Sequence, residues 1–231
     1  MSKKKIVFLA SGNGGNFHFI HEVIKRDYLT GFEIVELITD RKCAAQEIAK
    51  NCNIKYSKID FSKNNQESLL NHLININPDL IITTVHKILS VHIIKAFEKK
   101  LINLHYSLLP SYSGLIGMRP IEKALKFGEK CIGVTTHFAE EEVDLGKQIA
   151  QIYFLNNNFK KLTNELENLV FRCGCLCLLA AIYDKPSNDE TILDIMGTKC
   201  ILKGSRLPSK YVAINDGLWS SIQHQMLKSF E

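Results

Sequence analysis

Residues 6–16 read IVFLASGNGGN, and this stretch decides the fold. The five apolar residues at its start have the length and the β-rich composition of a buried strand. Ser11 and Gly12 end the apolar run, and a helix-like pattern begins at Phe17 after the glycine-rich segment. A strand, a tight turn and a helix in this order are the opening of a βαβ unit.

The same alternation continues through the first half of the chain, where short β-rich runs are separated by longer stretches with helical spacing. We predict strands at 6–10, 33–39, 54–58, 79–84 and 101–104, and helices at 17–26, 44–52 and 65–75. Strands that are apolar on both faces are typical of a parallel sheet covered on each side. The sequence therefore predicts an α/β fold, with a single doubly wound, mostly parallel, Rossmann-like sheet and helices on both faces.

The second half of the chain is less regular. A helix is expected from Arg119, with Pro120 in its first turn. Further predicted elements are strands at 132–138 and 148–155, a long helix at 162–183 and a short closing helix at 213–229. We expect one domain over 1–231, made of a phosphate-binding half at 1–100, a catalytic half at 101–184 and a C-terminal extension at 185–231.

The composition is that of a folded, soluble protein. Apolar residues make up 45% of the chain and charged residues 23%, which excludes a disordered or membrane-embedded chain. The net charge of +5 comes from scattered lysines and not from a basic groove with interleaved aromatic residues. The expected partner is therefore a small anionic molecule and not a nucleic acid.

The cellular location is predicted from the N-terminus and the cysteines. The apolar run at residues 6–10 is too short for a signal peptide or a membrane span. Seven cysteines, an odd number, are typical of free thiols in a reducing compartment. We expect a cytoplasmic protein without membrane association, and a homodimer is left open.

The glycine-rich segment predicts an anion site, because free backbone N–H groups at a helix N-terminus face an anion and glycines allow close approach. Two alternatives stay open, a tight turn without a ligand and a dinucleotide site. The dinucleotide fingerprint needs a small residue where Phe17 stands, although Asp40 could imitate its ribose ligand. The phosphate-binding candidates are Gly12, Asn13, Gly14, Gly15 and Asn16.

The segment 103–114, NLHYSLLPSYSG, carries the strongest chemical signal. Asn103 and His105 lie two positions apart at a strand end, so both side chains point to the same side. An amide and an imidazolium placed in this way stabilise an oxyanion. For His105 alone, a histidine that donates to a loop carbonyl would be the simpler interpretation.

The NLH at 103–105, followed by SLLP at 107–110, resembles the signature of the folate-dependent formyltransferases. Within that group, residues 11–16 are similar to the phosphate loop of the glycinamide ribonucleotide formyltransferases. The THF at 136–138 and the DLG at 144–146 resemble the acidic loop of the family with its catalytic aspartate. The three motifs agree in order and spacing and cover roughly residues 5–150.

The resemblance implies transfer of a formyl group from 10-formyltetrahydrofolate to the primary amine of glycinamide ribonucleotide, in de novo purine synthesis, with no metal. Asn103, His105 and Asp144 would be catalytic, and Asp144 would raise the pKa of His105 toward the protonated form. The implied folate-binding residues are Lys87, Ile88, Leu89, Phe138, Glu140 and Glu141. The implied substrate-binding residues, besides the glycine-rich segment, are Ser107, Pro110 and Arg172.

Two departures leave the acceptor amine open. The residues GLIGMR at 114–119 replace a histidine-containing stretch of the family, and LVFRCGC at 169–175 stands where the family has a substrate-binding glutamate. Arg172 is either a substitute ligand or a surface residue, whereas Cys173, Cys175 and Cys177 are interpreted as buried apolar side chains. The alternatives are another amine such as an amino sugar, initiator tRNA, hydrolysis of formyl-folate, and a nucleotide-binding module without catalysis.

Overall fold

The computed structural model describes residues 2–62 and 66–228. The chain forms two compact units. Unit 1 consists of Met1–Ile102 and Pro208–Glu231, and unit 2 consists of Asn103–Leu207. The boundary at 207/208 falls inside the segment predicted as a C-terminal extension, and the expectation of a single domain stays a prediction.

Unit 1 contains a parallel sheet in the order β3-β2-β1-β4. Its strands are β1 (Lys4–Ala10), β2 (Phe32–Thr39), β3 (Tyr56–Lys58) and β4 (Leu80–Thr84). Its helices are α1 (Gly15–Lys25), α2 (Ala44–Asn51), α3 (Gln66–Ile76) and α4 (Val91–Ala96). The first residue of the helix predicted at 65–75 lies outside the described residues. Because β1 has β2 on one side and β4 on the other, the strand order reverses at β1, where α/β sheets bind ligands.

Unit 1 is completed by the C-terminal segment, with a 3₁₀ helix at Ser209–Ala213 followed by helix α7 (Asp216–Lys228). Trp219 of α7 stacks on Phe19 of α1, with ring centroids 5.0 Å apart. The closing helix predicted at 213–229 is therefore present, and its last predicted residue lies outside the described part of the chain. The indole lies in the core beside α1 and is 6% exposed.

Strand β5 (Leu101–His105) ends with the first three residues of unit 2. The other strands of unit 2 are β6 (Cys131–Phe138), β7 (Gln148–Leu155), β8 (Pro186–Ile195) and β9 (Thr198–Ser205). The pairs β6–β7, β7–β9 and β8–β9 are antiparallel. The Rossmann-like α/β class is confirmed, and the β8–β9 hairpin is an addition where no strand was predicted.

Helices α5 (Arg119–Lys126) and α6 (Asn164–Tyr183) also belong to unit 2. Among the described helices, α6 is long and apolar enough to span a membrane by length and composition, but 72% of its most apolar window is buried, as in the core helix of a soluble protein. Cys173, Cys175 and Cys177 form no disulfide and have no solvent exposure, as predicted. Burial raises the pKa of Cys177 to about 12.

Candidate active site

The end of β5 places Asn103 and His105 together, because alternate residues of a strand share a face. His105 is 5% exposed and Asn103 is half-buried. Asp144 lies in the loop between β6 and β7, in the left-handed conformation with φ of 60°. The three residues predicted to be catalytic thus belong to unit 2, and the structure brings their side chains together.

The carboxylate of Asp144 is the centre of this cluster. Its Oδ2 lies 3.2 Å from His105 Nδ1 and accepts the backbone N–H of Gly114 at 2.8 Å. Its Oδ1 accepts a hydrogen bond of 3.3 Å from Asn103 Nδ2. The Asp144 side chain is only 8% exposed, so these polar groups take the place of water around a buried charge.

The pKa of His105 differs from the sequence-based expectation. Burial lowers this pKa, while Asp144 and the carbonyl of Tyr112 raise it by less and His137 lowers it further, so the net shift is downward. The predicted effect of Asp144, which is to raise this pKa, is present, but desolvation of the imidazolium outweighs the attraction of the carboxylate. At neutral pH the ring is mainly the neutral imidazole, which has one N–H and one free lone pair.

The pKa of Asp144 is also lowered, but here the neighbouring groups outweigh the effect of burial. Burial alone would raise this pKa, but the nearby rings of His137 and His105 and the N–H of Gly114 together lower it below its ordinary value. Asp144 is therefore a carboxylate at neutral pH. A carboxylate beside a neutral histidine is able to orient the ring and to stabilise the imidazolium when a proton arrives.

His137 of β6 is a fourth member that sequence reasoning did not single out. Its Nδ1 lies 2.8 Å from the carbonyl of Phe138, which only accepts, so in the neutral ring the proton is on Nδ1. Its Nε2 then accepts from Asn103 Nδ2 at 3.1 Å and lies 3.5 Å from Asp144 Oδ1. In the sequence, the only indication that His137 belongs to the site was its place in the Thr-His-Phe motif at 136–138. Both N–H groups of the Asn103 amide are thus engaged.

The loop after β5 is fixed by polar residues of β6 and β7. The N–H of Leu109 donates to Thr135 Oγ1 at 3.1 Å, and its carbonyl accepts from Gln148 Nε2 at 3.0 Å. The next peptide bond, before Pro110, is cis. The hydroxyl of Ser107 donates to the carbonyl of Ser111. Ser107 is buried and Pro110 exposed, and their roles in substrate binding stay predictions.

Three predicted folate residues and one predicted substrate residue also lie in unit 2. Phe138 is half-buried, and its N–H donates to the carbonyl of Lys147. Glu140 Oε1 accepts the N–H of Lys147 at 3.1 Å, and Glu141 is exposed. Arg172 lies half-buried on α6. These observations describe the loop and the helix, while the binding roles stay predictions.

The glycine-rich segment belongs to unit 1. Helix α1 begins at Gly15, two residues earlier than predicted, and no side chain caps its N-terminus. Gly14 has a φ of 74°, and a Cβ there would lie 2.8 Å from the backbone of Ala45, so only glycine fits. Gly12, Asn13 and Asn16 complete the segment. The segment leads into the N-terminus of α1, where the anion site is predicted, and the site itself stays a prediction.

The remaining predicted folate residues, Lys87, Ile88 and Leu89, follow β4 in unit 1. Ile88 is 71% exposed, an unusual state for a large apolar side chain, whereas Leu89 is buried in the core. The carboxylate of Asp40, considered as a ribose ligand, instead holds the Arg41 guanidinium, with its Oδ2 accepting from Nη2 at 2.6 Å.

This Rossmann-like α/β protein has a buried aspartate, two histidines and an asparagine in one cluster. Such a cluster is typical of enzymes that transfer protons to and from their substrates. The comparisons identify the family. The family model described as Formyl transferase matches residues 4–166. The chain therefore belongs to the formyl transferase family.

Several individual proteins are similar to the chain. Phosphoribosylglycinamide formyltransferase, chloroplastic, from Vigna unguiculata is 30% identical over 158 residues, which are 64% of this chain and 50% of that protein. Formyltetrahydrofolate deformylase 2, mitochondrial, from Arabidopsis thaliana is 33% identical over 97 residues, or 41% of this chain and 29% of that protein. The chain spans about half the length of the two curated plant phosphoribosylglycinamide formyltransferases that it matches.

Solved structures agree with the fold. The crystal structure of phosphoribosylglycinamide formyltransferase from Bacillus halodurans is similar with a TM-score of 0.71 and 26% identity, covering 78% of this chain and 94% of that one. The match extends over most of both chains. The Rossmann-like fold was predicted from residues 6–16 and from the alternation of strands and helices that follows them. It is therefore the fold of the formyl transferase family.

Proposed function

We propose that the chain transfers the formyl group of 10-formyltetrahydrofolate to the primary amine of glycinamide ribonucleotide, in de novo purine synthesis. The observation that carries this proposal is the cluster of Asn103, His105 and Asp144. Family membership and the names of similar proteins support the reaction class. The glycine-rich segment before α1, which suits a phosphate, supports the ribonucleotide as the acceptor.

The proposed chemistry follows from the protonation states. An amine that attacks a formyl carbon forms a tetrahedral centre with a negative oxygen and a positive nitrogen. In the reactive tautomer, Asp144 accepts from His105 Nδ1, so the reacting groups meet Nε2, which takes the proton of the amine. The resulting imidazolium, stabilised by Asp144, donates to the oxygen or returns the proton to the leaving nitrogen. The Asn103 amide, positioned by His137 and Asp144, supplies a second donor by sharing one of its N–H groups with the oxygen.

His137 fixes the Asn103 amide in this mechanism, so we predict a loss of turnover from His137→Ala. One hydrogen bond of about 1–1.5 kcal/mol corresponds to roughly a tenfold decrease in kcat, with little change in KM. His137→Gln keeps an acceptor and should lose less. Steady-state kinetics of both variants test this, and equal losses in the two variants would contradict the role of the acceptor.

Hydrolysis of the formyl donor is the second candidate function, because deformylases are also among the similar proteins. Water would then take the place of the amine at the same cluster. A third version keeps the donor and uses another amine, such as an amino sugar, which the late helix with Arg172 favours. The three versions share the donor and differ in the acceptor.

We predict that purified protein consumes 10-formyltetrahydrofolate only when glycinamide ribonucleotide is present. The absorbance of the tetrahydrofolate product follows the reaction, and an assay for formate follows hydrolysis. Consumption with formate release and no amine would establish the deformylase version. Consumption that needs an amine other than glycinamide ribonucleotide would establish the third. A cytoplasmic location and a homodimer stay predictions beside this proposal.

A further inference from the structure

The backbone of segment 111–114 contacts both His105 and Asp144. The carbonyl oxygen of Tyr112 lies 3.2 Å from His105 Nε2, and the N–H of Gly114 donates to Asp144 Oδ2 at 2.8 Å. A carbonyl oxygen only accepts, so this contact favours a proton on Nε2. The backbone of Tyr112 therefore occupies the ring nitrogen that the reacting groups need.

The two nitrogens of His105 face competing acceptors. Nδ1 faces the carboxylate of Asp144 and Nε2 faces the carbonyl of Tyr112. A neutral imidazole has a single N–H and satisfies one of them. The contact with Tyr112 consequently opposes the tautomer in which Asp144 holds the ring proton and Nε2 presents its lone pair. Moving the carbonyl away would favour that tautomer.

The backbone conformation of Tyr112 is unfavourable and has to be stabilised by other contacts. Its φ of 61° is left-handed, a conformation that is unfavourable for a residue with a Cβ atom. Its side chain provides this stabilisation, because the hydroxyl donates to Glu129 Oε1 at 2.9 Å. The ring also stacks against Phe127, with centroids 6.4 Å apart and planes 16° apart. These side-chain contacts therefore stabilise the backbone conformation that directs the Tyr112 carbonyl at His105.

The space beside this anchor is not filled. A cavity of about 110 Å³ is lined by Tyr112 and Glu129 together with apolar residues of α5 such as Ile121. Glu129 and Phe127 are both exposed. The tyrosine ring therefore has room to leave its present position without displacing core side chains.

We propose that Tyr112 is a positioning residue that controls access to His105 Nε2, with its carbonyl blocking the ring nitrogen and its side chain held in place by Glu129. This inference rests on the proposed function. Release of the side chain lets the segment move, and the carbonyl then leaves the ring. Glu129 acts through Tyr112 and touches none of the reacting groups.

The expected effect is modest, because a contact between exposed polar groups has a small net strength. Tyr112→Phe removes the hydroxyl and Glu129→Ala removes the carboxylate, and each should raise kcat/KM about three- to fivefold. The double variant should rise no further, since both changes remove the same contact. Tyr153→Phe is the matched control, because the Tyr153 hydroxyl donates to Glu190 Oε1 at 3.0 Å on the β7–β8 side of the same unit.

The experiment begins with nitrogen NMR of the His105 ring in the protein without substrates. In Tyr112→Phe and in Glu129→Ala, the Nε2 signal should move toward the unprotonated form, while in Tyr153→Phe it should stay in place. Kinetics with 10-formyltetrahydrofolate and glycinamide ribonucleotide then follow on the same samples. A rise in kcat/KM limited to the two variants and their double combination supports the proposal.

Two results overturn the inference. One is an Nε2 signal in both variants equal to that in the control. The other is a changed signal in an enzyme that turns over but gains no kcat/KM. Absence of turnover in every sample, the unmodified protein included, overturns the proposed function alone, because the NMR measurement still decides whether Tyr112 controls the ring.

Discussion

Asp144→Asn is expected to lower kcat/KM by about 10³-fold, because the imidazolium that forms on His105 loses the charge that stabilises it. The asparagine oxygen in place of Oδ2 would still accept from Gly114, as the carboxylate does at 2.8 Å. Its NH₂ group in place of Oδ1 would lose the hydrogen bond from Asn103 Nδ2 but would face His137 Nε2, 3.5 Å away, which has a lone pair. The fold should therefore survive, and the loss should appear in turnover.

Asp194→Asn is the matched control for this variant, since Asp194 is an exposed carboxylate of the same unit that accepts the N–H of Gly197 at 2.9 Å. Steady-state kinetics and thermal unfolding of both variants should show normal stability in each and lost activity in Asp144→Asn alone. Turnover near the unmodified level in Asp144→Asn would remove the carboxylate from the mechanism.

The two other catalytic positions should behave in the same way. His105→Ala removes the group that takes the proton of the amine, and Asn103→Ala removes a donor, a loss that is worth about 10²- to 10³-fold in comparable sites. Because the three side chains act as one cluster, combined variants should lose less than the product of the single losses. The single and double variants, measured by the same kinetics, test this.

The predictable part of the site came from strand periodicity. Asn103 and His105 were placed together because alternate residues at a strand end share a face. Asp144 was assigned only through the resemblance, because its left-handed backbone in an irregular loop leaves no periodic signal. His137 was missed for a related reason, since a histidine on a strand shows its partner only when the neighbouring strand is in place.

The pKa of His105 shows the limit of reasoning from residue types. The pairing with Asp144 was predicted and is present, but the degree of burial decides the sign of the pKa shift, and burial is a property of the packed structure. The β8–β9 hairpin was missed because much of β8 is exposed and lacks apolar alternation. Gly197 was the available hairpin signal in the sequence, and in the structure both Met196 and Gly197 have positive φ at the turn.

The acid sensitivity of unit 1 is the second large expected effect. His18 of α1 is 1% exposed, and its Nδ1 has no hydrogen-bond partner. Burial lowers its pKa to about 4, against the attraction of Glu22. The ordinary pKa of about 6.5 applies in the unfolded chain, so on acidification the unfolded chain takes up a proton before the folded one does. Stability is therefore complete above about pH 6.5 and is lost as the pH falls toward 4.

Between pH 7 and pH 5 this single group should lower the free energy of unfolding by about 2 kcal/mol, a range in which most carboxylates are still ionised. Burial also lowers the pKa of the neighbouring His21, which adds to the loss in the same direction. His18→Leu removes the larger contribution while keeping an apolar side chain in the core. The variant should therefore show a flatter dependence of stability on pH.

Trp219 makes the measurement local, because it is the single tryptophan of the chain and stacks on Phe19, the neighbour of His18. Urea unfolding followed by its fluorescence at pH 7, 6 and 5 gives the free energy at each pH. His92→Leu, at an exposed position on α4, is the control and should keep the unmodified pH dependence. An equal slope for His18→Leu and the unmodified protein would show that His18 is not the group that destabilises the fold in acid.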